Sequence, residues 1–207
     1  CGINDITIIT GHNSEVIKHP NVDYIKNPNY ATTNMNESLF CAREKFDDSI
    51  LVSYADIVFE QQIIEQILKF RQDIGVAINL DWKKNYENRT MHPLSEAENV
   101  LIENSNVVQL RKNITECLSN QKIGEFLGII KLSKKGAAYI LEKYLKLKNN
   151  HNGVFHNSSS FQKSYLTDML QEIVDSKAIV YPIVTKGLWM EIDTAEDLKR
   201  AENLLKI

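Results

Sequence analysis

The sequence predicts an α/β fold in which a mixed but mostly parallel sheet is flanked by helices, all within a single domain over residues 1–207. Three observations lead there. Short apolar runs of β type alternate with stretches of helical periodicity as far as residue 80, a pair of apolar runs follows between residues 100 and 110, and helix and strand patterns then alternate again to the end. Strand, helix, strand at this spacing implies parallel βαβ units, whose sheet is covered on both faces.

The first strands fall at residues 6–10, 24–26, 50–54 and 74–80. Helical spacing fills the intervals at residues 38–46 and 61–70, the latter carrying Ile63, Ile64, Ile67 and Leu68 on one side. Residues 100–103 and 107–110, separated by Asn104, Ser105 and Asn106, read as a hairpin, which makes the sheet mixed. A strand at 124–132, helices at 134–147 and 161–175 and a strand at 178–184 complete the pattern. Residues 149–160 have loop composition, suited to a connector or to a flap.

The densest chemistry lies near the end, where the alternating run 189–193 turns into a helix. On a strand, Trp189, Glu191 and Asp193 share one side and Met190 and Ile192 the other. Thr194 and Asp197 read as a capping box, and Leu198, Ala201, Leu204 and Leu205 form the apolar stripe of the helix they start. Two carboxylates fixed at one strand end suit a hard divalent cation, and they suit plain solvation or capping as well. Asp56 follows the apolar run 50–54, which puts it at the carboxyl edge of a sheet, where open α/β folds bind ligands; the other reading is a turn aspartate. Between residues 81 and 89 aromatics mix with cations. Arg89 could grip phosphate oxygens, and Trp82 or Trp189 could offer a ring face to a substrate ammonium; the alternative is a charged loop with a half-buried Trp.

Over nearly its whole length the chain resembles the small-molecule nucleotidyltransferases of the phosphocholine and alkylphosphonate cytidylyltransferase kind, including the transferase domain of phosphoenolpyruvate mutase fusions. The matching stretches are Cys1-Gly2-Ile3 with residues 6–12, Asn27-Pro28 with Thr33-Asn34 and Ser38-Leu39, residues 51–59, residues 124–128 and residues 189–198. The resemblance implies a Rossmann-like nucleotidyltransferase that moves CMP from CTP to a small phosphonate or phosphomonoester, such as 2-aminoethylphosphonate or phosphocholine, and releases pyrophosphate. It further implies Mg2+ held by Asp56, Glu191 and Asp193, with Asp56 and Asp193 the catalytic pair, and Asn34 and Ser38 beside the nucleotide. Glu125 and Asp168 match recurrent acids of the family whose roles stay open.

Two departures qualify it. Met35 stands where many relatives carry a second Asn after Asn34. The glycine-rich loop with which relatives open is not in this sequence, and Cys1-Gly2-Ile3 resembles sequence about one βα unit further in. The expectation is a domain lacking its N-terminal phosphate loop.

Composition fits without choosing among these readings. At 207 residues, with 43% hydrophobic and 25% charged residues, the chain can bury one sizeable core. A net charge of −3 offers no general attraction to nucleic acid, and no apolar run predicts membrane insertion. Three scattered cysteines predict a reducing, cytoplasmic setting. A fused or associated mutase or kinase domain is one expected partner. The competing functions are a sugar-1-phosphate nucleotidyltransferase and a non-catalytic module of a fused protein.

Overall fold

Apolar residues that alternate along the central strands bury both faces of one sheet, and helices close over each face. The structure, a computed structural model, describes residues 1–205, with the side chain of Leu205 outside that description. In chain order the elements are β1 (Thr7–Thr10), β2 (Asp23–Lys26), α1 (Met35–Leu39), β3 (Ile50–Ser53), β4 (Ile57–Phe59), α2 (Gln61–Leu68) and β5 (Ile74–Asn79). They continue with β6 (Glu98–Glu103), β7 (Asn106–Lys112), β8 (Gln121–Leu132), α3 (Lys134–Asn150), α4 (Leu166–Asp175), β9 (Tyr181–Val184), β10 (Trp189–Glu191) and α5 (Ala195–Leu205).

The main sheet runs β7-β6-β8-β5-β9, with β3 also on β8. Val76, Ile78, Phe126 and Ile130 face α3 and α4, meeting Ala137, Ile140, Met169 and Leu170, while Ala77, Leu127, Ile129 and Ile183 face Ile63, Ile64 and Ile67 of α2. This is the two-residue period of a strand buried on both sides. The hairpin falls at β6 and β7, with Asn104 and Ser105 both at positive φ as a tight two-residue turn requires.

The sheet is mixed, but it is less parallel than the sequence predicts. Among the described strands, parallel pairing is confined to β1 with β2 and β5 with β9, whereas β8 runs antiparallel to β3, β5 and β6. The reason lies in β8. Leu132 pairs with both Ile50 and Ile74, so β3 and β5 do run the same way, as their α2 crossover requires, but β8 lies between them. The helix expected over 38–46 is also shorter: α1 ends at Leu39 and gives way to a 3-10 stretch broken at Ala42, which tucks Phe40 and Phe46 into the core.

The β5–β8 register slips between Val76 and Ile78, and Gly128 sits in that irregularity at φ +71°. Its carbonyl accepts from the Tyr54 backbone N–H at 2.9 Å, and a Cβ there would meet the Tyr54 ring at 2.6 Å. Gly128→Ala therefore combines a left-handed backbone with a steric clash. It is expected to lower stability by about 1–3 kcal/mol in urea unfolding; an unchanged midpoint would show that the bulge adapts without strain.

Candidate active site

The β4–β10 ribbon sets the site. Glu191 pairs with Ile57 in antiparallel register, and the next residue, Ile192, donates its N–H to the Asp56 carbonyl at 2.8 Å. Asp56 just before β4 and Asp193 just after β10 thus emerge at the same end of one ribbon. The chain turns away at once into α5 because Thr194 and Asp197 form the capping box read in the sequence: the Asp197 carboxylate accepts from Thr194 N–H at 3.0 Å, and Thr194 Oγ1 accepts from Asp197 N–H at 3.2 Å. Of the apolar stripe expected on α5, Ala201 is buried while Leu198 and Leu204 are exposed.

A residue the sequence gave no reason to choose completes the group. His92 Nδ1 lies 3.0 Å from Asp193 Oδ2, and ligand atoms of His92, Glu191 and Asp193 all fall within 4.8 Å of one another. Burial, with the Arg89 charge adding to it, lowers the His92 pKa. The imidazole is therefore neutral near pH 7, and its approach to Asp193 is a neutral contact, not an ion pair.

Behind these groups lie Glu98 and Glu125. Glu98 accepts from Tyr54 Oη at 3.0 Å and Thr167 Oγ1 at 3.2 Å, while Glu125, 1% exposed, accepts from the Tyr86 hydroxyl. Burial raises the pKa of Asp56, Glu98, Glu125 and Glu191 alike. Glu191 is pushed up to about 8, by burial first and then by Asp193, Glu98, Asp56 and Glu125. Asp56 feels Asp193 in the same way, so carboxylates far apart in the sequence share one field. Carboxylates so placed that Asp193 raises both Asp56 and Glu191 favour a cation among them.

The sign of the pH effect follows. An unfolded Glu191 ionises near its ordinary 4.5 and the folded one near 8, so between these values the folded state holds a proton that the unfolded state has lost. Stability falls as pH rises through that window. Without divalent cations, the melting temperature of Glu191→Gln should rise above that of wild type on going from about pH 5 to about pH 9. Parallel melting curves across the range would contradict the assigned field.

The other residues singled out in the sequence have partners within the fold. Trp82 and Trp189 are 4% and 5% exposed and donate Nε1 to the carbonyls of Ile123 and Leu127. Neither offers a ring face to solvent, unlike the substrate contact expected of them. Arg89 is buried against Asp197, with Nε to Oδ1 at 2.8 Å, instead of waiting for a phosphate. Asn34 caps α1 and donates to the Lys163 carbonyl, and Ser38 accepts from Asn27 Nδ2 at 3.0 Å. Asp168 caps α4 by accepting from Tyr165 N–H and also accepts from Ser158 Oγ at 2.7 Å. The loop at 149–160 is a packed connector, with Phe155 buried and His156 against Glu172.

No protein-family model matches the chain. It is 24% identical over 209 residues to a CTP:phosphoglutamine cytidylyltransferase of Campylobacter jejuni, covering 96% of this chain and 81% of that one. A shorter match, 27% over 84 residues, reaches a CMP-5'-(3-aminopropyl)phosphonate synthase of Streptomyces rubellomurinus, covering 37% of this chain and 13% of the relative. Among solved structures, a glucose-1-phosphate thymidylyltransferase described as putative, from Bacillus anthracis, superposes with TM-score 0.67 at 18% identity, over 99% of this chain and 77% of that one. The CTP:phosphocholine cytidylyltransferase of Streptococcus pneumoniae gives 0.66 at 20% identity, over 99% and 79%. The chain has the nucleotidyltransferase fold, and in sequence it is similar to a cytidylyltransferase and, over a shorter stretch, to a CMP-phosphonate synthase.

Proposed function

We propose that the protein is a CTP-dependent cytidylyltransferase that passes CMP to a small phosphorylated or phosphonate acceptor and releases pyrophosphate. The observation that supports this reading is the gathering of Glu191, Asp193 and His92 at one end of the β4–β10 ribbon, the end from which Asp56 also emerges and where its charge reaches Glu191. Attack of an anionic acceptor oxygen on the α-phosphorus of CTP brings like charges together, and charge builds on the departing pyrophosphate. A divalent cation, Mg2+ in the all-oxygen case, would relieve both when bound among these acids. The chain's own part is positional. Asp56 and Asp193 would hold the cation from two strand ends with Glu191 adding a carboxylate from β10, and the α5 cap keeps the turn in place. No protein nucleophile is needed.

The acceptor belongs to the class suggested by the relatives' names and by the sequence: 2-aminoethylphosphonate, phosphocholine or phosphoglutamine. Among the described residues no helix is long and apolar enough to cross a membrane.

The test is pyrophosphate release by the full-length protein from CTP and Mg2+ with each of these acceptors in turn. Release that depends on one acceptor, with the matching CMP conjugate formed, is the expected result. Silence with all of them defeats the enzymatic reading, and release only from UTP or dTTP with a sugar 1-phosphate moves the protein to that class.

A further inference from the structure

A second feature of the site, resting on the reading just given, concerns which cation it takes. His92 enters from the loop between β5 and β6, a separate part of the chain from either acid-bearing strand end. It is 7% exposed, and its Nε2 is buried with no hydrogen-bond partner. Its Nδ1 points at Asp193 Oδ2 from 3.0 Å. A neutral imidazole carries one N–H and one lone pair. At this distance Nδ1 can donate its N–H to Asp193 or, with the proton on Nε2, turn its lone pair to a cation held by the neighbouring carboxylates.

The spacing fits such an ion. Ligands about 2.1 Å from a six-coordinate cation lie roughly 3 to 4.2 Å from one another, and the donor atoms of His92, Glu191 and Asp193 lie within 4.8 Å.

His92 is also held in place from outside. Glu196 of α5 accepts from the backbone N–H groups of Thr90 and Met91 at 2.9 Å each, and Arg89 is clamped by Asp197. The residues just before His92 are thus fastened to the helix that begins beside Asp193. That is the preorganisation a ligating histidine needs.

We infer that His92 is a nitrogen ligand of the divalent cation, so that the centre is a mixed nitrogen and oxygen site favouring Mn2+ over Mg2+. Imidazole suits borderline transition metals, while Mg2+ prefers oxygen throughout and keeps its waters. The histidine therefore biases the choice without excluding Mg2+.

The experiment adds MnCl2 to the full-length protein, with and without CTP, and reads bound Mn2+ by electron paramagnetic resonance and its nitrogen couplings by electron spin echo modulation. The wild-type protein is expected to show a directly bound nitrogen. His92→Asn is expected to lose that signal and bind Mn2+ about tenfold more weakly or worse, with Mg2+ affinity, read by competition, changing much less. Mn2+ held by the wild type without nitrogen coupling, but lost in Asp193→Asn, would overturn the role of His92 and leave the acid site standing. A wild type that takes up no Mn2+ under either condition would overturn both. The wild-type spectrum decides the matter even if the variant folds poorly.

Discussion

Asp193→Asn is expected to slow pyrophosphate release from CTP by roughly a thousandfold while leaving the fold intact. The magnitude follows from the task assigned to the carboxylate. Charge stabilisation by a bound cation is worth several kcal/mol at the transition state, and loss of about 4 kcal/mol of it is close to three powers of ten in rate. The fold should survive because the structural work at this corner is done by other groups. Asp193 contributes only its backbone N–H to the α5 cap, at 3.3 Å from Asp197, and its side chain is 39% exposed. Asn keeps the shape and the main-chain bond and removes only the charge.

The same substitution makes a second, opposite-signed prediction. Asp193 is the first charge, after burial, among the causes that push Glu191 up to about 8, and it also raises Asp56. Without it both should ionise at lower pH, so the cation-free variant should be slightly more stable than wild type at alkaline pH although it is nearly inactive. Near-wild-type turnover would dispose of the metal role. Lost turnover with simple unfolding would instead mean that Asp193 is structural, which the geometry opposes.

How much of this could be read from the chain alone depends on the range of the interactions. The capping box at Thr194 and Asp197, the hairpin turn at Asn104 and Ser105, and the apolar side of α2 are set by neighbours a few residues apart, and each appears as the sequence implies. Asp56 and Asp193 were found as separate strand-end acids, and a resemblance joined them. Their emergence at the same end of one ribbon depends on the pairing of β4 with β10, about which neither short strand carries information by itself. His92 was invisible for the same reason: what singles it out is a clamp between its loop and α5 that spans more than a hundred residues. Trp82, Trp189 and Arg89 show the opposite error. An aromatic beside cations looks like a binding surface until burial is known, and here the buried side chains already have partners. The antiparallel β8 was hidden because a strand buried on both faces reads the same in either direction.

Arg89→Ala should give the largest loss of stability, about 3–5 kcal/mol in denaturant unfolding, because it leaves a buried carboxylate without its cation. Asp197 is 0% exposed. Its Oδ1 faces Arg89 Nε and Nη2 at 2.8 Å, and its Oδ2 serves Thr194 and Asp193. Burial by itself would raise the Asp197 pKa, yet the hydrogen bonds from Thr194 and the charge and hydrogen bond of Arg89 hold it below the ordinary carboxylate value. A depressed pKa contributes stability above the unfolded value, near 3.9, and that contribution disappears as pH falls through the folded one. Removing Arg89 takes away part of the depression, so the acid-unfolding midpoint of the variant should move to higher pH. An exposed pair such as Lys45 and Asp5, at 3.0 Å, offers the contrast: severing it should leave the unfolding midpoint nearly unchanged. The consequence for the site is sharper than the stability figure alone. Arg89 ties the loop carrying His92 to the helix that starts beside Asp193, so in a variant still folded at low temperature the nitrogen signal from bound Mn2+ should weaken although His92 itself is untouched. Full retention of that signal would mean that Glu196 alone, through Thr90 and Met91, is enough to hold the loop.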